Sequence, residues 1–352
     1  MEFVKADNPD DLIKMAAKNR NTTDHQYQTK KLIEENLKTW ILCLRKEHPN
    51  LSAKSIRKYV YPIIAFYILN DVVEQINTKK LWRFLPQNHR PIEDRAYTVE
   101  EIAKLLEAAD ERTRVIILLL ASTGMRIGAL ADLTISDLEP IEDFYKIRVY
   151  AGFDEQYFTY CTPECRSAID SYIDFRKRLG EKNITAASPL FREDFDIQDK
   201  KNAANPRKIS RDAIIKSMWL HAYRNGIRTP QTHGRGSGKR TELYLNHGLR
   251  KFFNTQLIKA RIRPQIKELL MGHNIKGIQL DNSYYKPTLD EMIEEYKTAI
   301  PILTINEENR LKLKLKEEKE DHQKQLEKIT VEIDSIKQAM ARVMAAGEVK
   351  PL

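Results

Sequence analysis

Four short runs in this chain carry residues able to act on a charged substrate. They are Thr123-Gly124-Met125-Arg126-Ile127-Gly128, His247-Gly248-Leu249-Arg250, Leu270-Met271-Gly272-His273 and Asn282-Ser283-Tyr284-Tyr285. Each alone is common, but the four in this order supply two guanidinium groups, two imidazoles and two adjacent phenols. Guanidinium forks hold the oxygens of a phosphate in pairs and stay charged at any working pH. Such a pair can stabilise the negative charge that grows when one oxygen displaces another at phosphorus. An imidazole titrates near neutrality and can move a proton, and a phenol can act as a nucleophile that leaves a covalent bond to the phosphate.

The elements that must carry these runs read as mainly helical with a small β-hairpin. Leu32, Leu37, Trp40, Ile41 and Leu44 recur at helical steps, and Ser52 or Ser55 caps a second apolar run through Val60, Ile64 and Leu69. Pro86 and Pro91 mark a linker, so a helical domain over 21–90 is expected after a flexible segment 1–20, with the linker at 91–96. Thr98 and Glu101 form a capping-box pattern, and Val115 to Ala121 reads as a core helix that stops at Gly124. Phe144 to Tyr150 and Gln156 to Cys161 are aromatic and β-branched around Ala151-Gly152-Phe153-Asp154, which predicts a hairpin. Helices are expected over 167–179, 212–223, 243–262, 264–271 and 289–299, with basic loops at 200–207 and 228–240. This second domain spans 97–303.

Beyond Pro301, Leu315, Lys319, His322, Leu326, Ile329, Ile333, Ile336, Met340 and Val343 alternate at four and three residues, a heptad seam that predicts a coiled-coil helix over 304–346 before a tail at 347–352. A single amphipathic helix folding back on the body is the alternative.

With these residues in place, the sequence resembles the tyrosine recombinase (phage integrase) family over most of 97–300. The runs Ser283-Tyr284-Tyr285-Lys286-Pro287-Thr288 and Thr162-Pro163-Glu164-Cys165 look like its archaeal branch. The resemblance implies a helical amino-terminal core-binding domain, a recombinase catalytic domain, and a DNA-cleaving site made of Arg126, His247, Arg250, His273 and Tyr284, with Tyr285 as the alternative nucleophile. In that reading His247 takes the phenolic proton or bonds the phosphate, and His273 donates to a non-bridging oxygen. It further implies cleavage and rejoining of double-stranded DNA through a 3′-phosphotyrosine, without metal, ATP or other cofactor, by a homo-oligomer assembled on paired sites. The two domains would close on the duplex from opposite sides.

Two positions depart from the family's pattern. The hairpin turn has no lysine to protonate the leaving 5′ oxygen, which leaves Lys146 on the strand as a tentative acid and Lys200, Lys201 or Lys239 as weaker ones. Ala129 stands where an acidic residue is frequent.

The remaining composition is consistent with a nucleic-acid partner without requiring one. The 352 residues hold 59 Lys and Arg against 50 Asp and Glu, a net charge of +9. Lys54, Arg57, Lys58, Arg207, Lys208, Arg211, Arg235, Lys239 and Arg240 are candidates to track phosphates. Three cysteines make no disulfide framework and no zinc pattern, and neither a signal peptide nor a long apolar stretch is visible. A cytoplasmic, nucleoid-associated protein is expected. The rival readings are a catalytically silent DNA-binding protein on the same fold and a coiled-coil adaptor.

Overall fold

The computed structural model describes residues 25–49, 51–87, 94–194, 198–227, 243, 245–273 and 287–347, with a few positions between 8 and 14. It divides into two compact units that part between Glu93 and Asp94.

The first unit is built on α1 (His25–Glu47), α2 (Ala53–Leu69) and the short α3 (Thr78–Trp82). Ser52 caps α2, its side chain accepting from the Ser55 N–H at 3.1 Å. Ile33, Leu37 and Ile41 of α1 share one buried cluster with Ile56, Val60 and Ile64 of α2, the three- and four-residue spacing placing each set on one stripe. The Glu34 carboxylate accepts the Asn77 N–H at 3.0 Å and so ties α1 to the cap of α3. Lys54, Arg57 and Lys58 lie on the opposite, exposed side of α2.

In the second unit α4 (Val99–Glu107) begins with the capping box of Thr98 and Glu101. It leads into α5 (Glu111–Thr123), buried from Val115 to Thr123 on every side, which Asp110 caps and Gly124 ends in a left-handed conformation. A short α6 (Ile127–Leu130) follows. The antiparallel sheet has the order β1 (Leu138–Ile141), β2 (Phe144–Val149), β3 (Tyr157–Tyr160), so the hairpin gains an edge strand at β1, which Pro140 obscures in the sequence. Packed on α5 is α7 (Pro163–Arg178). It starts four residues before the expected Ser167, because Thr162 caps it and Pro163 occupies its first turn. The basic segment expected as a loop at 200–207 contains α8 (Lys200–Ala204), capped by Asp199.

The rest is α9 (Arg211–Arg224), α10 (Leu245–Lys259), α11 (Pro264–Leu270), α12 (Leu289–Leu303) and α13 (Glu307–Gly347). Helix α10 packs on α5 and α12, so the core of this unit is a helical cluster against one three-stranded sheet. Leu326, Ile329, Ile333, Ile336 and Met340 of α13 are exposed along its length. No helix among the described residues is long and apolar enough to cross a membrane.

Candidate functional site

Two left-handed glycines build the site. Gly124, at φ +60°, ends α5, and a β-carbon there would lie 2.3 Å from the Phe253 ring of α10. The chain therefore turns tightly enough to present the Gly124 carbonyl to α10, where Arg250 donates Nη1–H to it at 2.5 Å.

Gly272, at φ +62°, closes α11 in a Schellman motif. The Gly272 N–H bonds the Leu269 carbonyl at 2.9 Å, and the His273 N–H bonds the Glu268 carbonyl at 3.0 Å. The turn leaves two successive carbonyls facing the arginines. Arg250 donates Nη2–H to Met271 O at 2.8 Å, and Arg126 donates Nη1–H to Gly272 O at 3.4 Å.

His273 joins the same group. Arg250 Nη2 lies 2.6 Å from His273 Nε2, and His273 Nδ1 bonds a Glu268 carboxylate oxygen. A guanidinium has donors only, so Nε2 must carry the lone pair and Nδ1 the proton that Glu268 accepts. Lys267 holds the other oxygen of Glu268 at 3.1 Å. Burial raises the Glu268 pKa, but its bonds from His273 and Lys267 outweigh that and keep the carboxyl below its ordinary range.

Arg250 is 8% exposed and Arg126 is exposed. Neither has a carboxylate partner among the described residues. Burial, and next the charge of Arg126, lower the pKa of Arg250. Tyr157 of β3 packs its ring on Gly272, and burial pushes its phenol up to about 12, against the opposing pull of Arg250 and Arg126. Two guanidinium charges bonded only to neutral acceptors among the described residues are an arrangement able to hold an anion.

A cleft of about 400 Å³ opens beside them, with Arg126, Arg250, Arg211, Asn246 and His247 on its wall and Met125, Ile127, Ile215 and Leu245 as its apolar part. His247 is exposed there, and the Asn246 Oδ1 is buried without a partner among the described residues.

Thus the structure brings together Arg126, Arg250 and His273, with His247 on the adjoining cleft. His273 lies within hydrogen-bonding distance of both Arg250 and Glu268. Lys146 is not part of the group: it pairs across the sheet with Tyr160, whereas Val149, three residues on, pairs with Tyr157. Odd spacing puts Lys146 on the face opposite Tyr157, where its ammonium binds Glu139 at 2.7 Å and lies over the Phe158 ring.

Among the phosphate-tracking candidates, Arg207 and Arg211 are exposed, while Lys208 is paired with Asp132 at 2.7 Å. Tyr284, Tyr285, Arg235, Lys239 and Arg240 lie outside the described residues. Glu268 and Tyr157 are not foreseeable from sequence spacing. A Glu five residues before a His matches no helical-face spacing, and the Gly-His pair that signals the turn is the available clue. Among the described residues no cluster of three or more His, Cys, Asp or Glu could hold a metal ion.

The second unit thus brings two arginines, without a carboxylate partner among the described residues, and a histidine onto glycine turns, and the comparisons bear on this arrangement. The chain is 26% identical over 228 residues to the tyrosine recombinase XerA of Pyrococcus furiosus, covering 63% of this chain and 66% of that one, just under two thirds of its length. It is 26% identical over 264 residues to the tyrosine recombinase XerD of Staphylococcus haemolyticus, covering 70% and 77%. No family model matches. The fold is shared with the Tn1549 transposon integrase, solved with a circular-intermediate DNA, at a TM-score of 0.51 and 18% identity, over 81% of this chain and 97% of that one. In sequence the chain is thus similar to proteins named as tyrosine recombinases.

Proposed function

We propose that this protein is a site-specific DNA recombinase that cleaves and rejoins double-stranded DNA through a covalent 3′-phosphotyrosine. The observation that carries the reading is the placement of Arg126 and Arg250 on the successive carbonyls of Gly272 and Met271 with no carboxylate partner among the described residues.

In this reading the two guanidinium groups exchange carbonyl bonds for the non-bridging oxygens of the scissile phosphate. Those bonds strengthen as charge develops in the transition state, the differential binding that catalysis requires. Two fixed cations supply the charge stabilisation that a metal ion gives in other phosphoryl-transfer sites. His247 on the cleft wall bonds the phosphate. The phenol of Tyr284, with Tyr285 as the alternative, attacks in line. The phosphotyrosine conserves the energy of the broken bond, so resealing by the freed 5′ hydroxyl needs no ATP.

The domain roles follow: core-binding helices in 21–90, catalysis in 97–303, and a coiled-coil helix over 304–346 joining copies of the chain on paired sites. The sequence relatives, named as tyrosine recombinases, and the integrase solved with DNA support this assignment.

A duplex carrying a nick beside the cleavage point tests it, because the released fragment diffuses away and traps the intermediate. The recombinase yields protein covalently attached to DNA. A mobility shift without attachment would instead mark a silent binder, and neither signal would mark an adaptor.

A further inference from the structure

We infer that α13 joins copies of this chain into a parallel, in-register bundle of four helices, and does so without DNA. The inference deepens the recombinase reading and rests on it for the number four. The parallel orientation stands on the helix alone.

The helix is held to its unit at its start, where Glu164 binds the N–H groups of Ile305 and Asn306 and Leu313 packs against the core. From Lys314 to Arg342 every described side chain is exposed. Along that length Leu326, Ile329, Ile333, Ile336 and Met340 follow at three and four residues, each about half exposed. These steps put them on one stripe, with Leu326, Ile333 and Met340 at the a positions of a heptad and Ile329 and Ile336 at d. Water disfavours an apolar stripe that no described residue covers, and a second copy offers the same stripe in the same register.

Charge decides the orientation. The e positions on one flank are Lys316, Gln323, Thr330 and Lys337, all basic or neutral. The g positions on the other flank are Glu318, Gln325, Glu332 and Ala339, all acidic or neutral. Parallel helices in register set g of one against e of the next heptad in its neighbour, so Glu332 meets Lys337 of the adjacent copy and Glu318 meets Gln323. Antiparallel helices set g against g and e against e, where no opposite charges meet in any register. The Lys337 side chain is 71% exposed and has a 3.5 Å pair with Asp334 on its own helix, so it can turn outward at little cost.

The number of helices follows from side-chain shape. Isoleucine at d, with Leu or Ile at a, shifts the preference from two strands to three or four. Between residues 325 and 339 the flanks are uncharged at Gln325, Thr330 and Ala339, which suits a bundle whose buried face is wider than the a and d seam. In the recombinase reading, exchange between two duplexes opens four strands at one nucleophile each, which sets the count at four. Lys319 occupies the next a position toward the body. Four ammonium groups on one axis repel, so the bundle starts after it and the helices part toward their own units.

The test is sedimentation velocity of the full chain without DNA, at its highest soluble concentration, joined to disulfide trapping. Wild type should sediment at four chain masses. Ile333→Asp with Ile336→Asp should reduce this to one chain, since both side chains are exposed in the single chain and the change leaves its fold intact. The tryptophan-fluorescence melt should then be unchanged, because Trp40, Trp82 and Trp219 lie outside α13. Glu332→Lys should lower the mass by setting like charges together, and adding Lys337→Glu should restore it, a rescue that an antiparallel bundle does not give. Met340→Cys, oxidised with copper phenanthroline, should form a disulfide between copies that maps to residue 340. A wild-type mass of one, two or three chains, an unchanged mass in the aspartate variant, no rescue by the charge swap, or no disulfide at residue 340 would overturn the inference. Failure of wild type to attach to nicked DNA would overturn the recombinase reading instead, and the masses and the disulfide would still decide the bundle.

Discussion

The ring of Tyr157 occupies the space that a side chain on residue 272 would need: a β-carbon at Gly272 would sit 2.4 Å from the Tyr157 Cε1. One packing contact thus couples the sheet to the turn that aims both arginines.

Gly272→Ala should therefore disturb the site twice, by ring overlap and by the left-handed φ of +62°. The backbone strain alone is about 1–2 kcal/mol. Urea unfolding should record a loss of at least that size, and trapping on nicked DNA should fall with it. Stability equal to wild type would mean that Tyr157 moves aside at no cost.

The two arginines should answer differently to lysine. Arg250 feeds three acceptors from a buried position, so Arg250→Lys should lower both stability and strand cleavage, the latter by about 10²–10³-fold, the scale of losing a transition-state donor. Arg126 is exposed with one long bond to the protein, so Arg126→Lys should lower cleavage on the same scale with the melting temperature unchanged. Thermal melts beside single-turnover rates distinguish these outcomes. Equal loss of stability in both variants would contradict the roles drawn from burial.

Much of this is legible in the sequence, and the reasons are local. The caps at Ser52 and Thr98 and the stop at Gly124 are written in adjacent residues, and the structure reproduces them. The β-branched and aromatic run around 144–160 fixes the hairpin. What stays hidden depends on register or on distance. Lys146 lies one strand position off the face that meets the arginines, which spacing along the chain does not reveal. The contact of His273 with Arg250 depends on a residue from another helix. The true start of α7 is masked because Thr162-Pro163 reads as a family marker as readily as a helix cap.

On α2, Lys54, Arg57 and Lys58 are exposed at helical spacing on one side. If each meets a phosphate, replacing all three with alanine should flatten the salt dependence of DNA binding, by about 0.9 in the slope of log K for each phosphate no longer neutralised. Lys208→Ala should leave the slope unchanged, because Asp132 already holds that ammonium. Fluorescence anisotropy across a salt series measures both slopes. A wild-type slope in the triple variant would remove this face from the interface.

Glu164 of α7 accepts the N–H groups of Ile305 at 2.7 Å and Asn306 at 3.0 Å, joining α7 to the turn before α13. Burial raises its pKa against the pull of those two bonds. The folded state thus holds this proton more tightly than the unfolded state. Its contribution to stability is greatest below the ordinary carboxylate range and is lost as pH rises through the raised folded value. Glu164→Gln cannot ionise and should lose less stability over that window than wild type. Urea unfolding at a series of pH values gives both curves, and parallel curves would contradict the assignment.

The central claim is that a tyrosine near the carboxy end attacks a phosphate held by Arg126 and Arg250. Its most direct measurement is covalent capture on the nicked duplex by wild type, Tyr284→Phe and Tyr285→Phe, followed by peptide mapping of the attached residue. Capture by wild type and Tyr285→Phe, with none by Tyr284→Phe and the label mapped to residue 284, is the predicted result. Undiminished capture by both variants, or a label mapped to any other residue, would contradict it.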